Sequence, residues 1–296
     1  MGDLHELWQA ARQYMFKHWA KHITLGIAAA LAAFAPVYPA YASQEESPSS
    51  QCPEIIATGH PDYVPISWQK GDLLVGAAPD LLALISSEIG VPIRTVHSGG
   101  WKRAQSQVFA GEIDMIASLY RTAERETLLE YTSAFSNEPV VVITLVDTDL
   151  HFRDRNDLSP YQGGMVIGDS LGQELDDFSA TSLKLHTVPS VEHLLNLLDH
   201  KRIQYAIHGL YPVMVTAHKL GIAPRIRTHV PPLSQESMHL AISKKSSCLH
   251  LLPKISAAIE SLRATGHVDN LLKENWAKWA KTENVGMAPP EISQDR

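Results

Sequence analysis

The chain has 296 residues, of which 45% are hydrophobic, 7% aromatic and 19% charged. This composition is typical of a globular protein and excludes a chain that is disordered or membrane-spanning throughout. The formal net charge is −7, so a nucleic-acid partner is not expected, because proteins that bind nucleic acid usually present a basic surface.

Residues 1 to 42 have the pattern of a secretory signal peptide. Basic residues come first, an apolar run then ends at Ala35, and small residues end at Ala42. The apolar run is shorter than the roughly 20 residues that cross a membrane, so we expect cleavage after Ala42 rather than an uncleaved anchor. The sequence leaves open whether Met1 or Met15 is the start. Export predicts a periplasmic protein if the organism is Gram-negative.

Two cysteines, Cys52 and Cys248, remain after this cleavage. An oxidising compartment favours a disulfide between them, and two cysteines allow only one pairing. Two unrelated buried thiols are the alternative.

Strand and helix patterns alternate in the next part of the chain. The strand candidates are "EIIATG", "VPIRTV" and "IDMIAS", and the helices "PDLLALISSEIG" and "WKRAQSQVFAGE" separate them. Between the first strand and the first helix, "PDYVPISW" contains two prolines and predicts an extended loop. This β-α-β-α-β order predicts a parallel sheet.

The longest apolar run, "PVVVITLV", is followed by a strongly polar segment that indicates a domain change. The pattern then resumes with strands in "MVIG", "LKLHTV" and "IQYAIH" and helices between them. A further strand in "SMHLAIS" precedes a helical region from Cys248 to Lys281. We therefore predict an α/β fold of two lobes, each a mainly parallel sheet flanked by helices. The predicted segments are a flexible leader (43–52), the first lobe (53–145 and 243–280), the second lobe (146–242) and a disordered tail (281–296).

A polar cluster follows the third strand candidate, in "SLYRTAER". Ser118, Tyr120, Arg121, Thr122 and Arg125 stand where this strand ends and the chain turns. Thr122 is expected to cap a short helix that carries Arg125, and the segment from there to Phe135 has the pattern of a solvated helix. Ligands of open α/β sheets bind outside the carboxyl ends of the strands. The cluster is therefore placed where a ligand site is expected.

The segment "GEIDMIASLYRTAERETLLEYTSAF" resembles the core of the type II periplasmic solute-binding proteins, the amino-acid-binding branch of ABC transport (bacterial extracellular solute-binding protein family 3). In that family G-x-x-D and an apolar strand precede T-x-E-R. Three more segments resemble other parts of the family in the same order, and the likeness covers residues 53 to 280: "ATGHPDYVPISWQKGD", "LSPYQGGMVIGDSLGQEL" and "ESMHLAISKKSSC". The resemblance implies a two-lobed fold whose two-crossover hinge closes on a small ligand.

By this resemblance, Arg125 grips a ligand carboxylate, which suits a guanidinium that is always charged and forks onto two oxygens. A surface arginine that pairs with a nearby glutamate is the alternative. Ser118 matches a glycine whose carbonyl takes a ligand amino group, and Tyr120 matches a threonine that binds the ligand. Tyr63 and Trp101 match aromatic residues that flank it, with ordinary core packing as the alternative.

In the second lobe, Ser170 and Gly172 match a turn whose free helix amides attract anions. His208 also matches the family, but Gly209 stands where amino-acid binders carry an acidic residue. Either another acceptor, such as Asp169, Glu174 or a carbonyl group, pairs with a ligand ammonium, or the ligand is not an α-amino acid.

The resemblance implies a monomeric, non-enzymatic binding protein without cofactor, which delivers a small carboxylate (an amino acid or a related solute) to an inner-membrane ABC permease. An enzyme on the same fold, of cyclohexadienyl dehydratase type, and a free-standing sensory module are the alternatives. The fifteen histidines form no H-E-x-x-H motif, and we predict no metal site.

Overall fold

The computed structural model describes residues 52 to 283. The predicted signal peptide, the leader up to residue 51 and the tail from residue 284 lie outside the described residues. Between residues 52 and 283, no helix is both long and apolar enough to span a bilayer.

The described part of the chain alternates strands and helices. The strands are β1 (Ile55–Thr58), β2 (Asp62–Tyr63), β3 (Ser67–Lys70), β4 (Leu73–Val75), β5 (Ile93–Thr95), β6 (Met115–Leu119), β7 (Leu129–Leu145), β8 (Gln162–Val166), β9 (Lys184–Val188), β10 (Tyr205–Gly209), β11 (Ile226–Thr228) and β12 (Ser234–Ser243). The α-helices are α1 (Ala77–Ile89), α2 (Trp101–Ala110), α3 (Ala123–Glu126), α4 (Gln173–Ser182), α5 (Val191–Asp199), α6 (Leu210–Lys219), α7 (Leu252–Ala264) and α8 (His267–Thr282).

One sheet of nine strands organises the fold, in the order β5-β1-β6-β12-β7-β10-β8-β9, with β11 beside β7. Within each end of the sheet the strands pair in parallel: β1 pairs with β5 and β6, and β8 pairs with β9 and β10. We call the first group with α1 to α3 the β1 half, and the second group with α4 to α6 the β8 half. The mixed α/β fold class, with helices flanking the sheet, is confirmed.

The two halves point toward each other because three antiparallel pairings, β6–β12, β12–β7 and β7–β10, lie between them. An odd number of reversals makes β6 run opposite to β10, so the carboxyl ends of both parallel groups face one cleft. The 17-residue strand β7 joins the halves: its first part pairs with β12 and its last part with β10 and β11. These joining strands fit the predicted two-crossover hinge, whereas the exact lobe boundaries remain a prediction.

Local sequence signals explain why the helices that frame the cleft begin and end where they do. Gly90 ends α1 in the left-handed conformation (φ 70°), which favours glycine. Thr122 caps α3 by accepting a hydrogen bond from the backbone N–H of Arg125. This cap places the short helix, and with it Arg125, directly after β6.

The C-terminal helices pack onto the β1 half. Asn275 on α8 donates a hydrogen bond of 2.8 Å to Asp80 on α1. A disulfide joins Cys52, just before β1, to Cys248, just before α7. The expected pairing of the two cysteines is therefore present, and it ties the first described residue to the start of the last helices.

Three segments differ from the sequence predictions. The segment read as an extended loop is part of a small antiparallel sheet, β2-β3-β4, whose strands are too short for a clear pattern. The end of "TLLEYTSAF" is strand rather than helix, because α3 stops at Glu126 and β7 begins at Leu129. The C-terminal helical region is broken by Gly266 (φ 74°) into α7 and α8, and α8 extends beyond Lys281 to Thr282.

Candidate functional site

A cavity lies between the two halves, at the carboxyl ends of their strands. Its volume is about 30 Å³, counted as the space in which the centre of a water molecule fits, which is room for one or two waters. The halves therefore almost touch here. The residues that line the cavity are His60, Tyr63, Trp101, Ser118, Leu119, Tyr120, Arg125, Asp169, Ser170, Leu171, His208, Gly209 and Met238.

Arg125 is the cation that faces this cavity from the β1 half. It is 8% exposed, and its guanidinium donates to the Tyr120 carbonyl at 2.9 Å and to Gln105 Oε1 at 3.2 Å. A third bond of 3.2 Å reaches the Gly168 carbonyl. Burial lowers the pKa of Arg125, but arginine stays charged because its ordinary pKa is far above neutrality. Neutral partners take three of its five N–H groups, so a cation that has no bonded carboxylate among the described residues faces the cavity.

Two further bonds join the halves next to Arg125. Gln105 on α2 donates to the Gly168 carbonyl at 2.9 Å, and the backbone N–H of Ala123 donates to Gln173 Oε1 at 2.8 Å. A second, wider groove of about 300 Å³ lies on the other side of Arg125, with Lys102 and Asp176 on its walls. Arg125 thus separates an inner cavity from an outer groove.

Asp169 brings a carboxylate from the β8 half into the cavity, with 11% of its side chain exposed. Its Oδ2 lies 2.9 Å from His208 Nε2, and its Oδ1 lies 3.8 Å from His60 Nε2. Burial alone would lower the pKa of His208, but the neighbouring Asp169 carboxylate outweighs burial and raises it. Burial would raise the pKa of Asp169, and His208 instead holds it below its ordinary value. The His208 contact is short but poorly aligned for a hydrogen bond, so we describe it as an ion pair.

Glu138, on the joining strand β7, stands behind two tyrosines of the cavity wall. Its side chain is 1% exposed, Oε1 accepts a 3.3 Å hydrogen bond from the backbone of Tyr211, and Oε2 has no hydrogen-bond partner among the described residues. The hydroxyls of Tyr63 and Tyr120 lie 3.1 Å apart in front of it. Burial raises the pKa of Glu138 to about 8, so this carboxyl is mainly protonated at neutral pH.

Aromatic rings form the wall around His60. Its ring centroid lies 5.0 Å from that of Trp101 and 5.2 Å from that of Tyr63. Tyr63 in turn lies 5.9 Å from His208. Rings with a few convergent polar groups are the usual lining of a small-molecule site.

The structure brings together seven of the eight predicted binding residues: Tyr63, Trp101, Ser118, Tyr120, Arg125, Ser170 and His208. The eighth, Gly172, is the N-cap of α4 and does not line the cavity. The backbone N–H groups that were predicted to bind an anion at this helix start are already bonded to side chains of the protein. The backbone N–H of Leu171 donates to Asp176 at 2.7 Å, and that of Gly172 donates to Ser170 Oγ at 3.0 Å.

Two charged residues weighed from the sequence lie away from the cavity. Glu174 has an 85% exposed side chain and pairs with Arg155 at 2.7 Å. Arg121 is exposed and pairs with Glu126. Of the two carboxylates considered for a ligand ammonium, Asp169 lines the cavity and Glu174 does not.

His60 and Glu138 are the polar residues that sequence reasoning missed. His60 follows the end of β1 in "ATGHPDY", so its place at a strand's carboxyl end was a usable signal. Glu138 precedes Pro139 in a polar stretch and resembled an exposed strand end. Among residues 52 to 283, no three His, Cys, Asp or Glu side chains are arranged to hold a metal ion.

Solved structures share this fold. A mutant of ArgBP from T. maritima is 18% identical, covers 76% of this chain and 96% of that chain, and has a TM-score of 0.64. The amino acid ABC transporter substrate-binding protein AbpA from Streptococcus pneumoniae, bound to L-arginine, is 18% identical over 76% and 95% of the two chains, with a TM-score of 0.62. A histidine kinase sensor domain with similarity to periplasmic binding proteins is 17% identical over 81% and 100%, with a TM-score of 0.66.

The fold and the cleft between its halves define a solute-binding protein of the periplasmic type. The family model of the bacterial extracellular solute-binding proteins, family 3, matches residues 55–278, and the chain belongs to this family. The expected family resemblance is thereby confirmed. No curated protein sequence matches the chain significantly.

Proposed function

We propose that this chain is a periplasmic binding protein that captures a small carboxylate-bearing solute between two closing lobes and delivers it to an ABC importer. The lobes are those predicted from the sequence, residues 53–145 with 243–280 and residues 146–242. The protein acts without a cofactor, as a monomer, and performs no chemistry on the solute.

The observation that carries this proposal is the buried Arg125 at the cavity wall. Its three partners in the chain are two backbone carbonyls and a side-chain amide oxygen, all neutral. A hydrogen bond from this guanidinium to a ligand carboxylate is stronger than one to these neutral acceptors, because the attraction of opposite charges and the bidentate geometry add to it. The bond to Gly168 crosses the cleft, so a ligand that replaces it takes over the link between the lobes.

The names of two neighbours support a solute of the amino-acid type. AbpA binds L-arginine, and ArgBP is named for arginine binding. At 18% identity these likenesses establish the fold alone. The class of carboxylate that binds therefore has to be inferred from the residues that line the cavity of this chain.

A thermal-shift screen of amino acids, hydroxy acids and dicarboxylates tests the proposal. A solute at a hundred times its Kd stabilises the folded protein by about 2.7 kcal/mol, which corresponds to a melting-temperature rise of about 5–10 °C. Arg125→Ala should abolish the shift. Arg121→Ala is the matched control, since Arg121 lies four residues away, is exposed and pairs with Glu126. Equal shifts in both variants would refute the carboxylate grip.

An enzyme on the same fold is the second candidate, and Glu138 is the observation that favours it. A carboxyl with a pKa of about 8 beside a cleft suits a general acid, and the nearby Asp169–His208 pair supplies a base. Turnover of prephenate by the purified protein, lost in Glu138→Gln, would favour this candidate.

The likeness to a histidine kinase sensor domain supports a sensory role as a further alternative. Loss of solute uptake on deletion of the gene would favour transport over sensing.

A further inference from the structure

We propose that the cavity selects a hydroxyl-bearing carboxylate over the corresponding α-amino acid, and that His60 and Asp169 together recognise the hydroxyl group. This inference rests on the proposed binding function and names the class of solute.

The hydrogen-bonding state of His60 is fixed by its neighbour. The backbone N–H of Asp62 donates to His60 Nδ1 at 3.0 Å, so Nδ1 is the acceptor and the ring hydrogen of neutral His60 lies on Nε2. Burial lowers the pKa of His60, which favours this neutral form. The ring is 6% exposed, and Nε2 has no hydrogen-bond partner among the described residues. An N–H donor is therefore held in the cavity wall without an acceptor.

The carboxylate opposite this donor is too far away to satisfy it. Asp169 Oδ1 lies 3.8 Å from His60 Nε2, beyond hydrogen-bond distance. An oxygen placed about 2.9 Å from the nitrogen and about 2.7 Å from Oδ1 would bridge the two atoms, with an angle of roughly 85° at that oxygen. A hydroxyl group accepts from Nε2–H and donates to Oδ1. An ammonium group has no lone pair and therefore leaves the His60 donor unsatisfied.

The charges of the cavity point to the same class of solute. Asp169, the one carboxylate among the lining residues, is paired with His208 at 2.9 Å and so offers little net charge to an ammonium group. Glu138, behind the wall, is mainly protonated at neutral pH. Among the described residues, Arg125 remains as the cation without a bonded carboxylate. A monoanion that carries a hydroxyl balances this site, whereas a zwitterion brings a positive charge that meets only the Asp169 carboxylate, which is already paired with His208.

Isothermal titration with matched trios tests the inference. Each trio shares one skeleton and differs only at C2: lactate, alanine and propionate; malate, aspartate and succinate; phenyllactate, phenylalanine and phenylpropionate. In the trio that fits, the hydroxy acid should bind at least about tenfold more tightly than both others, which is about 1.4 kcal/mol and matches a hydrogen bond to a charged group. His60→Ala should reduce the preference to within about threefold and leave the Kd of the deoxy acid unchanged.

Two further variants serve as controls for the titration of His60→Ala. His60→Gln retains an N–H donor and should restore part of the preference, which also covers a poorly folded His60→Ala. His193→Ala, at an exposed position on α5, should change nothing. An amino acid that binds as tightly as its hydroxy acid, or a preference that survives His60→Ala, overturns the hydroxyl inference and leaves the binding function intact. If neither the thermal-shift screen nor any trio gives a ligand for the folded wild type, the proposed function itself is refuted.

Discussion

The carboxyl group of Glu138 fills the space that a side chain at position 209 would occupy. A Cβ built on Gly209 would overlap Glu138 Oε1 and the hydroxyl of Tyr63. The acidic residue that the family resemblance leads us to expect near position 209 is absent from this chain, and an acid from β7 stands in its place. This acid is buried and protonated, so it differs in chemistry from an exposed carboxylate that would pair with an ammonium group.

Gly209→Ala should destabilise the protein by about 1–3 kcal/mol, because a methyl group there forces Glu138 and Tyr63 to move within a packed interior. Urea unfolding measures the change. Gly100→Ala is the control, since Gly100 has an ordinary φ of −64° and no atom within 4 Å of its added Cβ. Gly209→Asp should lower the free energy of unfolding further. Adding Glu138→Ala to it should recover part of this loss, because removal of the Glu138 carboxyl empties the shared space. Strictly additive effects would contradict the overlap.

Glu138 should make the protein less stable as the pH rises from about 5 to 8. Its pKa is raised to about 8 in the folded state, so between its ordinary pKa and 8 the folded protein holds a proton that the unfolded chain has released. The free energy of unfolding should fall by on the order of 3–5 kcal/mol across this range. Glu138→Gln keeps the shape without titrating, and should remove most of this slope and exceed wild type in stability at pH 8. If the free energy of unfolding depends on pH in the same way in both proteins, the raised pKa of Glu138 is refuted.

The Asp169–His208 ion pair gives a prediction for NMR. In wild type the Asp169 carboxylate raises the pKa of His208 against the effect of burial. In Asp169→Asn the main group that opposes burial is removed, so the ring should titrate at a lower pH than in wild type. The change should also cost about 3–5 kcal/mol, because a buried charge loses its partner. Ring signals of His193, exposed on α5, should be the same in both proteins.

The parallel strands and their helices were predictable because their signals are local. An apolar run of a few residues followed by an amphipathic segment and a glycine, as at Gly90, needs no distant partner to be recognised. The position of Arg125 followed from the same logic, because Thr122 caps the helix that begins right after β6.

Long-range pairing explains what was missed. Residues 129 to 138 of β7 are strand because they pair with β12, about 100 residues further along the chain, and no local pattern reveals such a partner. The burial of Glu138 follows from that pairing, since β7 carries it between the halves. The role of His60 depends on Asp169, which comes from the other half of the sheet.

Reduction of the Cys52–Cys248 disulfide should destabilise the protein markedly. The bond joins residues 196 apart, and the chain-entropy relation gives roughly 5 kcal/mol for a loop of this length, while measured losses are usually about 2–5 kcal/mol. Urea unfolding with and without dithiothreitol measures the difference. In the double variant Cys52→Ala, Cys248→Ala, dithiothreitol should have no effect. A loss below about 1 kcal/mol would mean that the unfolded chain is constrained by something else.

Gln105→Ala should favour an open arrangement of the lobes. Gln105 is 6% exposed, donates to the Gly168 carbonyl across the cleft at 2.9 Å, and accepts from Arg125 at 3.2 Å. Losing these two bonds should shift the balance between closed and open forms by about tenfold toward the open one. Small-angle scattering should then give a larger radius of gyration than for wild type.

Ser106→Ala is the control for this experiment, because Ser106 is exposed on the same helix and its hydroxyl donates to the Lys102 carbonyl one turn earlier in that helix. Addition of a bound carboxylate should bring Gln105→Ala back toward the compact curve, since the ligand replaces the missing link through Arg125. A scattering curve that is identical in all three proteins would show that Gln105 does not hold the lobes together, and the link would then rest on the Arg125–Gly168 and Ala123–Gln173 bonds.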